Sequence, residues 1–346
     1  MKNNKPVKTI RITKPMMIAG LVILILWGAS LYGAWFLAKN NFWETKSPNN
    51  ENSYKFLNPR LQYLTYSTTE ERRAKTLITL FPLKKDFFEY LKEAKEKIAF
   101  YIEDLNTGAW IGWQERDEFI PASLLKVPLA MGVMKKIDSG QWSLGTTFEM
   151  NARYKDKSFG TLWQTENGAP LTVENLIKEM LQYSDNTAAN IFFDKLTSEE
   201  RDNIYYHIGI INPEAPFDQA SNRPLFKKLS PKDLATIFRA LYNATYLTRN
   251  SSNYLLEILT QTKFDKIIAN DIPKDIPIAH KIANFFTKDP KQPKNFHDCG
   301  IVFLPEHPYL YCVMTKDFNA EEAKQFIVDM GNKTYEYFNK GGEIKN

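Results

Sequence analysis

Residues 121–128 read Pro-Ala-Ser-Leu-Leu-Lys-Val-Pro, and they place a serine hydroxyl three residues ahead of a lysine at the head of an apolar run. Residues three apart on a helix share a face, so the Lys126 amine comes within reach of the Ser123 oxygen. A hydroxyl with an amine beside it is the arrangement of an activated nucleophile. Ser-x-x-Lys also arises by chance in chains of this length, so its meaning depends on what accompanies it.

Two further stretches accompany it. Ser184-Asp185-Asn186 falls between two helical runs, where a loop can present side chains to a cleft. There Ser184 is suited to pass a proton to a leaving nitrogen and the Asn186 amide to bind a substrate carbonyl. Taken alone, the triplet also reads as a helix-capping loop. Farther on, His280-Lys281-Ile282-Ala283 reads as a strand. On a strand bordering a cleft, Lys281 would supply a fixed positive charge that lowers the Lys126 pKa and attracts an anionic substrate.

The surrounding pattern predicts the architecture. Phe87 to Ile98 has helical spacing and leads into a hairpin, Ala99–Asp104 and Ala109–Trp113, about an Asn-Thr-Gly turn. Helices are expected from Ser123 to Ile137, closing at Ser139-Gly140, from the Thr172 cap, and from Ser230-Pro231. Pro128 removes one backbone donor from the first of these, so the helix must bend or find the Leu124 carbonyl another partner. Strands return at Ile276–Ala283, Gly300–Leu304 and Tyr309–Thr315, and a last helix starts near Asn319. Strands at both ends with helices between them predict an α+β fold, an antiparallel sheet built from both ends with a helical middle.

A chain of 346 residues, 43% hydrophobic and 14% aromatic, is large enough for one substantial domain with additions. The additions lie at the front. Residues 16–38 form an uncharged apolar run long enough to cross a bilayer, preceded by Lys2, Lys5, Lys8, Arg11 and Lys14 with no acidic residue. The positive-inside rule keeps residues 1–15 cytoplasmic and puts the rest outside. A cleaved signal peptide is the rival reading, but the run is long and lacks an Ala-x-Ala site. Residues 39–86, Asn-rich at first and with a short helix at Thr68–Leu80, read as an extracytoplasmic stem, and 87–346 as the folded domain. A single-pass protein of the cell membrane, monomeric, is the expectation.

Net charge is +5, and five of the cations belong to the N-terminal tail, so nothing argues for nucleic acid. The four histidines show no zinc spacing, so no metal or cofactor is expected. The only cysteines are Cys299 and Cys312. A hairpin centred near Pro305-Glu306 would bring them face to face. Export permits a disulfide there, but cross-strand bridges are often strained, and two buried thiols are the favoured expectation.

With the three motifs in this order, residues 87 to 335 resemble the class A β-lactamases and penicillin-binding proteins, whose signature is Ser-x-x-Lys, Ser-Asp-Asn and Lys-Thr/Ser-Gly. Asp104-Leu-Asn-Thr-Gly108, Leu171-Thr-Val, Gly300-Ile-Val-Phe and Val313-Met-Thr-Lys316 add to the likeness. The resemblance implies an acyl-enzyme mechanism. Ser123 would attack a lactam or peptide carbonyl after Lys126 takes its proton, the backbone N–H groups of Ser123 and Asn284 would hold the oxyanion, and Ser184 would return the proton to the amine. The identity of the acylation base, lysine or carboxylate, stays open. The substrate implied is a β-lactam or a peptidoglycan peptide.

Two departures stand out. Ile282 and Ala283 replace the family's hydroxyl residue and glycine, removing a hydrogen bond to the substrate carboxylate that would contribute about 1.5–3 kcal/mol. The interval 209–229 offers only Glu214 and Asp218 as carboxylates, neither in the family's Glu-Pro-x-Leu-Asn context. Glu214 is the candidate general base for deacylation. The open alternatives are a D-Ala-D-Ala carboxypeptidase or transpeptidase, a non-catalytic β-lactam or peptide sensor, and an enzyme for substrates without a carboxylate, which Ile282 would suit.

Overall fold

The structure, a computed structural model, describes residues 14–15, 54–58, 80–91, 97–210, 217–218, 223–224, 228–264, 272–285, 295–317 and 320–341. The apolar run 16–38, all but the last residue of the expected stem helix, and Glu214 lie outside these residues. Among the described residues no helix is long and apolar enough to cross a membrane. The chain divides into two units, Met1–Ser53 and Tyr54–Asn346, and the second carries the fold described here.

The first helix, α1 (Phe81–Leu91), starts six residues earlier than the sequence suggests. Leu83, Phe87 and Leu91 recur every four residues, lie at 0–1% exposure, and so give the helix one buried stripe. Strands β1 (Ile98–Asp104) and β2 (Trp110–Trp113) form the expected hairpin. Then come a 3-10 turn at Ala122–Leu125, α2 (Lys126–Asp138), β3 (Thr147–Glu149), β4 (Pro170–Thr172), α3 (Val173–Gln182), α4 (Asn186–Lys195) and α5 (Ser198–His207). A two-residue ladder of β5 (Phe217–Asp218) and β6 (Arg223–Pro224) precedes α6 (Pro231–Tyr242) and α7 (Arg249–Thr260). Strands β7 (Ile278–Phe285), β8 (Asn295–Val302) and β9 (Tyr309–Thr315) and the helix α8 (Ala320–Asn339) complete the fold.

The main sheet runs β2-β1-β9-β8-β7, all neighbours antiparallel, with Ile98 opposite Thr315 and Asp104 opposite Tyr309. The two ends of the domain therefore pair with each other, as their strand patterns imply. Period-two alternation divides the sheet into two faces. Ala279, Ala283, Cys299, Ile301, Leu310, Cys312 and Met314 face the core under the helical middle, while Ile278, Phe296, Val302, Tyr309 and Val313 face α1 and α8. Phe56 and Leu57, from the stretch read as stem, are also in the first core, because their large apolar side chains find cover there.

Local signals set the helix starts. Thr172 accepts from the Asn175 N–H, and Ser230 and Asp233 form a reciprocal capping box before Pro231. Leu176, Ile177, Met180 and Leu181 of α3 are all at 0% exposure, each contributing roughly 1.5–3 kcal/mol through burial. The helix expected from Ser123 begins instead at Lys126, after the 3-10 turn. Pro128 cannot donate to Leu124, and the tighter turn lets the Lys126 N–H reach back to the Ser123 carbonyl.

One expectation is corrected. Cys299 and Cys312 form a disulfide and are not free thiols. They are directly opposite in the β8–β9 register with Cα atoms 4.0 Å apart, and both point into the same core, so the sulfurs meet. Strand β8 is also longer than expected, beginning at Asn295, which brings His297 and Asp298 into the sheet.

Candidate functional site

Ser123 lies in the 3-10 turn, half-buried, on a segment held from both sides. Leu124 and Val127, at 0% and 1% exposure, anchor it in the main core. From the sheet, His297 of β8 contacts the Ile120 carbonyl through Nε2 at 3.0 Å while its Nδ1 accepts from the Thr315 N–H at 3.2 Å. That pattern makes Nε2 the protonated nitrogen and the ring neutral. Burial pushes its pKa down to about 4. The support matters because Ala122, just before the serine, has φ 47°, as Ser184 has φ 55°. For residues with a Cβ such angles cost about 1–2 kcal/mol each and persist only where surrounding contacts enforce them.

Lys126, 6% exposed, brings the first two motifs together. Its Nζ lies 3.3 Å from Ser123 Oγ, 3.0 Å from Ser184 Oγ, and 2.6 Å from both the Ser184 carbonyl oxygen and Asn186 Oδ1. Both carbonyl-type oxygens can only accept. A neutral amine has two N–H bonds, which these oxygens take up, and its lone pair is then left for a hydroxyl. Burial lowers the Lys126 pKa to about 8, against the opposing pull of Asp185 and Asp156. At neutral pH roughly one molecule in ten therefore carries the free amine. The arrangement can accept a proton from Ser123 Oγ and hand it to Ser184 Oγ.

The Ser-Asp-Asn turn is built from the α4 cap. Asp185, at 0% exposure, accepts from the Ala188 N–H at 2.8 Å and from the Leu162 N–H at 2.9 Å. It caps the helix and also clips the loop 151–165 onto it. Gly160 makes the close approach possible, since a Cβ there would come within 1.9 Å of Asp185 Oδ2 and its φ is 83°. Asn186, first residue of α4, donates its N–H to the Phe159 carbonyl at 3.1 Å.

Lys281 lies on β7, the edge strand beside the Ala122–Leu125 turn. It is fully buried, its Nζ donating to the Ile282 carbonyl at 3.1 Å and sitting 5.2 Å from the Phe264 ring centre. Burial first, then the Lys126 charge, push its pKa well below the usual lysine range, with Asp298 opposing. The expectation that Lys281 lowers the Lys126 pKa is thus corrected. Repulsion between two amines falls on the one that gives up its proton first, here Lys281, and the Lys126 shift comes from burial. Ile282 and Ala283, at 7% and 1% exposure, present no hydroxyl, and half-buried Asn284 follows them, opposite Phe296.

Asp156 and His297 belong to none of the three motifs. Asp156 lies in the loop after β3, where the Ser158 N–H donates to its Oδ1 at 2.7 Å. Asp two residues ahead of Ser is a turn pattern, the one sequence signal it offers. His297 carries none. Among the described residues no cluster of three or more His, Cys, Asp or Glu side chains is placed to hold a metal ion.

An α+β body of this layout, with the Ser123 hydroxyl, the Lys126 amine and the Ser-Asp-Asn turn brought together, is that of a serine hydrolase. The chain belongs to the β-lactamase enzyme family, whose sequence profile matches residues 82–338. A β-lactamase of Phocaeicola vulgatus is 23% identical over 231 residues, covering 62% of this chain and 71% of that protein. Among solved structures, the TLA-3 extended-spectrum β-lactamase superposes with a TM-score of 0.68 at 19% identity, over 75% of this chain and 99% of that one. PBP-A superposes with a TM-score of 0.63 at 22% identity, over 76% of this chain and all of that one.

Proposed function

We propose that this protein acylates itself on Ser123 with a β-lactam and hydrolyses the product. The observation that carries the reading is the position of the Lys126 amine, 3.3 Å from one hydroxyl and 3.0 Å from another, with two carbonyl-type oxygens 2.6 Å away to take up the N–H bonds of its neutral form. Lys126 takes the Ser123 proton as Oγ attacks the lactam carbonyl, and the backbone N–H groups of Ser123 and Asn284 receive the oxyanion. The lactam C–N bond then breaks and the proton reaches the departing nitrogen through Ser184 Oγ. Asn186 and Lys281 contact the substrate. Water cleaves the ester in the second step, with Glu214 as general base.

The second reading is a penicillin-binding carboxypeptidase or transpeptidase of the cell wall, in which the acyl-enzyme goes to a different acceptor or persists. The lack of a glutamate in the family's Glu-Pro-x-Leu-Asn context and the likeness to PBP-A favour it. In either case the domain works outside the cell, tethered by residues 16–38. The lysine-flanked apolar run supports the tether, and the Cys299–Cys312 disulfide supports an oxidising compartment.

Intact-mass spectrometry of the full-length protein mixed with a penicillin, alongside Ser123→Ala, tests the proposal. A transient adduct with accumulating hydrolysed drug supports hydrolysis. A lasting adduct absent from the variant supports the penicillin-binding reading. Neither adduct nor product would overturn both and leave a binding role.

A further inference from the structure

The loop after β3 brings to the active lysine a carboxylate that belongs to none of the three motifs. Asp156 is tied to α4 by its backbone, donating its N–H to Thr187 Oγ1 at 3.0 Å and accepting from that hydroxyl at 3.3 Å. Its carboxylate is oriented by the Ser158 N–H at 2.7 Å and accepts a hydrogen bond from the Asn186 side chain. The Asn186 amide therefore spans two charged groups, its oxygen 2.6 Å from Lys126 Nζ and its NH2 on Asp156.

We infer that Asp156 is a positioning residue of the Ser123–Lys126 centre, one that holds the Asn186 amide with its oxygen toward the Lys126 amine and keeps that amine in a negative field. The inference deepens the reading of this site as an acyl-transfer centre and rests on it. An amide has one accepting end and one donating end. Reversed, Asn186 would set its NH2 against the Lys126 ammonium, donor against donor. A carboxylate can only accept, so Asp156 makes the reversed orientation unfavourable from the far side of the amide.

Lys126 is faced by titratable groups from three elements: the carboxylates of Asp156 from the loop and Asp185 from the turn before α4, and the Lys281 amine from β7, which gives up its proton first. Behind them, Glu179 of α3 interacts with Asp185 and Asp298 of β8 with Lys281. Asp185 is committed to two backbone N–H groups. Asp156 is half-buried, and although burial raises its pKa, the bonds from Ser158 and Asn186 and the Lys126 charge hold it below the ordinary carboxylate range. It therefore stays ionised wherever Lys126 titrates. Its effect is to keep the Lys126 proton bound to a higher pH than burial alone would allow, so that the same amine can both take a proton and return one.

The test is a titration of Lys126 in full-length protein labelled with 13Cε-lysine, the resonance assigned by its loss in Lys126→Arg. Asp156→Asn keeps the shape and removes the charge. The Lys126 midpoint is expected to fall by roughly half to one pH unit, and Asp156→Glu to restore most of the shift. Asp156→Ser carries the same expectation as Asp156→Asn should the amide fail to fold. An unchanged midpoint in a folded neutral variant overturns the inference. This readout needs no substrate, so absence of a penicillin adduct on the wild type would count against the β-lactam reading while leaving the shift to be judged separately.

Discussion

The Lys126 amine and the Asn186 side-chain oxygen lie 2.6 Å apart, a hydrogen bond that joins the first motif to the second across 60 residues of sequence. The Ser184 carbonyl, also 2.6 Å away, makes the link two-pronged. Because these oxygens accept only, they dictate where the N–H bonds of the amine point and hence where its lone pair is free to work. Asn186 is in turn placed by the Asp185 cap, so a helix start serves as the mount for a proton-transfer site.

Lys126→Ala is expected to slow acylation by roughly 10²–10⁴-fold. In the wild type the acylation rate should rise with pH through a midpoint near 8, because the free amine is the base and burial has lowered its pKa to about 8. Rapid-quench mass spectrometry across pH 6–10 checks this. A rate flat over that range would remove Lys126 from the role of base.

The buried His297 predicts acid sensitivity. Its pKa is about 4 in the fold against 6.5 for an unperturbed histidine. Between those values the unfolded chain binds a proton that the folded one does not, so stability is complete above about pH 6.5 and is lost as the pH falls toward 4. The full loss amounts to about 3 kcal/mol. His297→Gln, which can still donate to Ile120 and accept from Thr315, should be less pH-dependent over that window. Urea unfolding at pH 7 and pH 5 gives the comparison, and equal losses in both proteins would contradict the assignment.

Gly160→Ala should destabilise the protein by about 2 kcal/mol or more. The residue is at φ 83°, and its new Cβ would collide with the Asp185 carboxylate. Since Asp185 caps α4 and holds the loop that bears Asp156, acylation should fall in molecules that remain folded. A variant with normal stability and normal acylation would show that the loop does not depend on this close approach.

Replacing both Cys299 and Cys312 by alanine opens a bridge with a sequence separation of 13 and should cost about 2–4 kcal/mol by chain entropy. The bridge lies in the core under the helical middle and contains no group of the site. Denaturation midpoints should drop while the acylation rate measured well below them stays close to wild type. A large fall in rate without a fall in stability would place the disulfide in the catalytic architecture.

Much of the architecture was legible because it follows from local rules. The caps at Thr172 and Ser230-Pro231, the Asn-Thr-Gly hairpin turn and the alternation of strands at the two ends are set by residues close together in sequence, and the structure has them where they were expected. The order of Ser-x-x-Lys, Ser-Asp-Asn and Lys-Ile-Ala was sufficient to imply the family.

Other features depended on groups far apart in the chain. The Cys299–Cys312 bond required the β8–β9 register, which is decided by how whole strands bury their faces. The cause of the Lys126 shift and the fall in the Lys281 pKa depended on burial, which no motif records. Asp156 and His297 joined the site through loop closure and strand pairing. Sequence by itself determined the helix caps, the first hairpin, the family and the three motifs, because each rests on spacing within a short window. Only the tertiary structure decided which charges face Lys126 and what holds Ser123 in place, because electrostatic interaction and packing act through space and not along the chain.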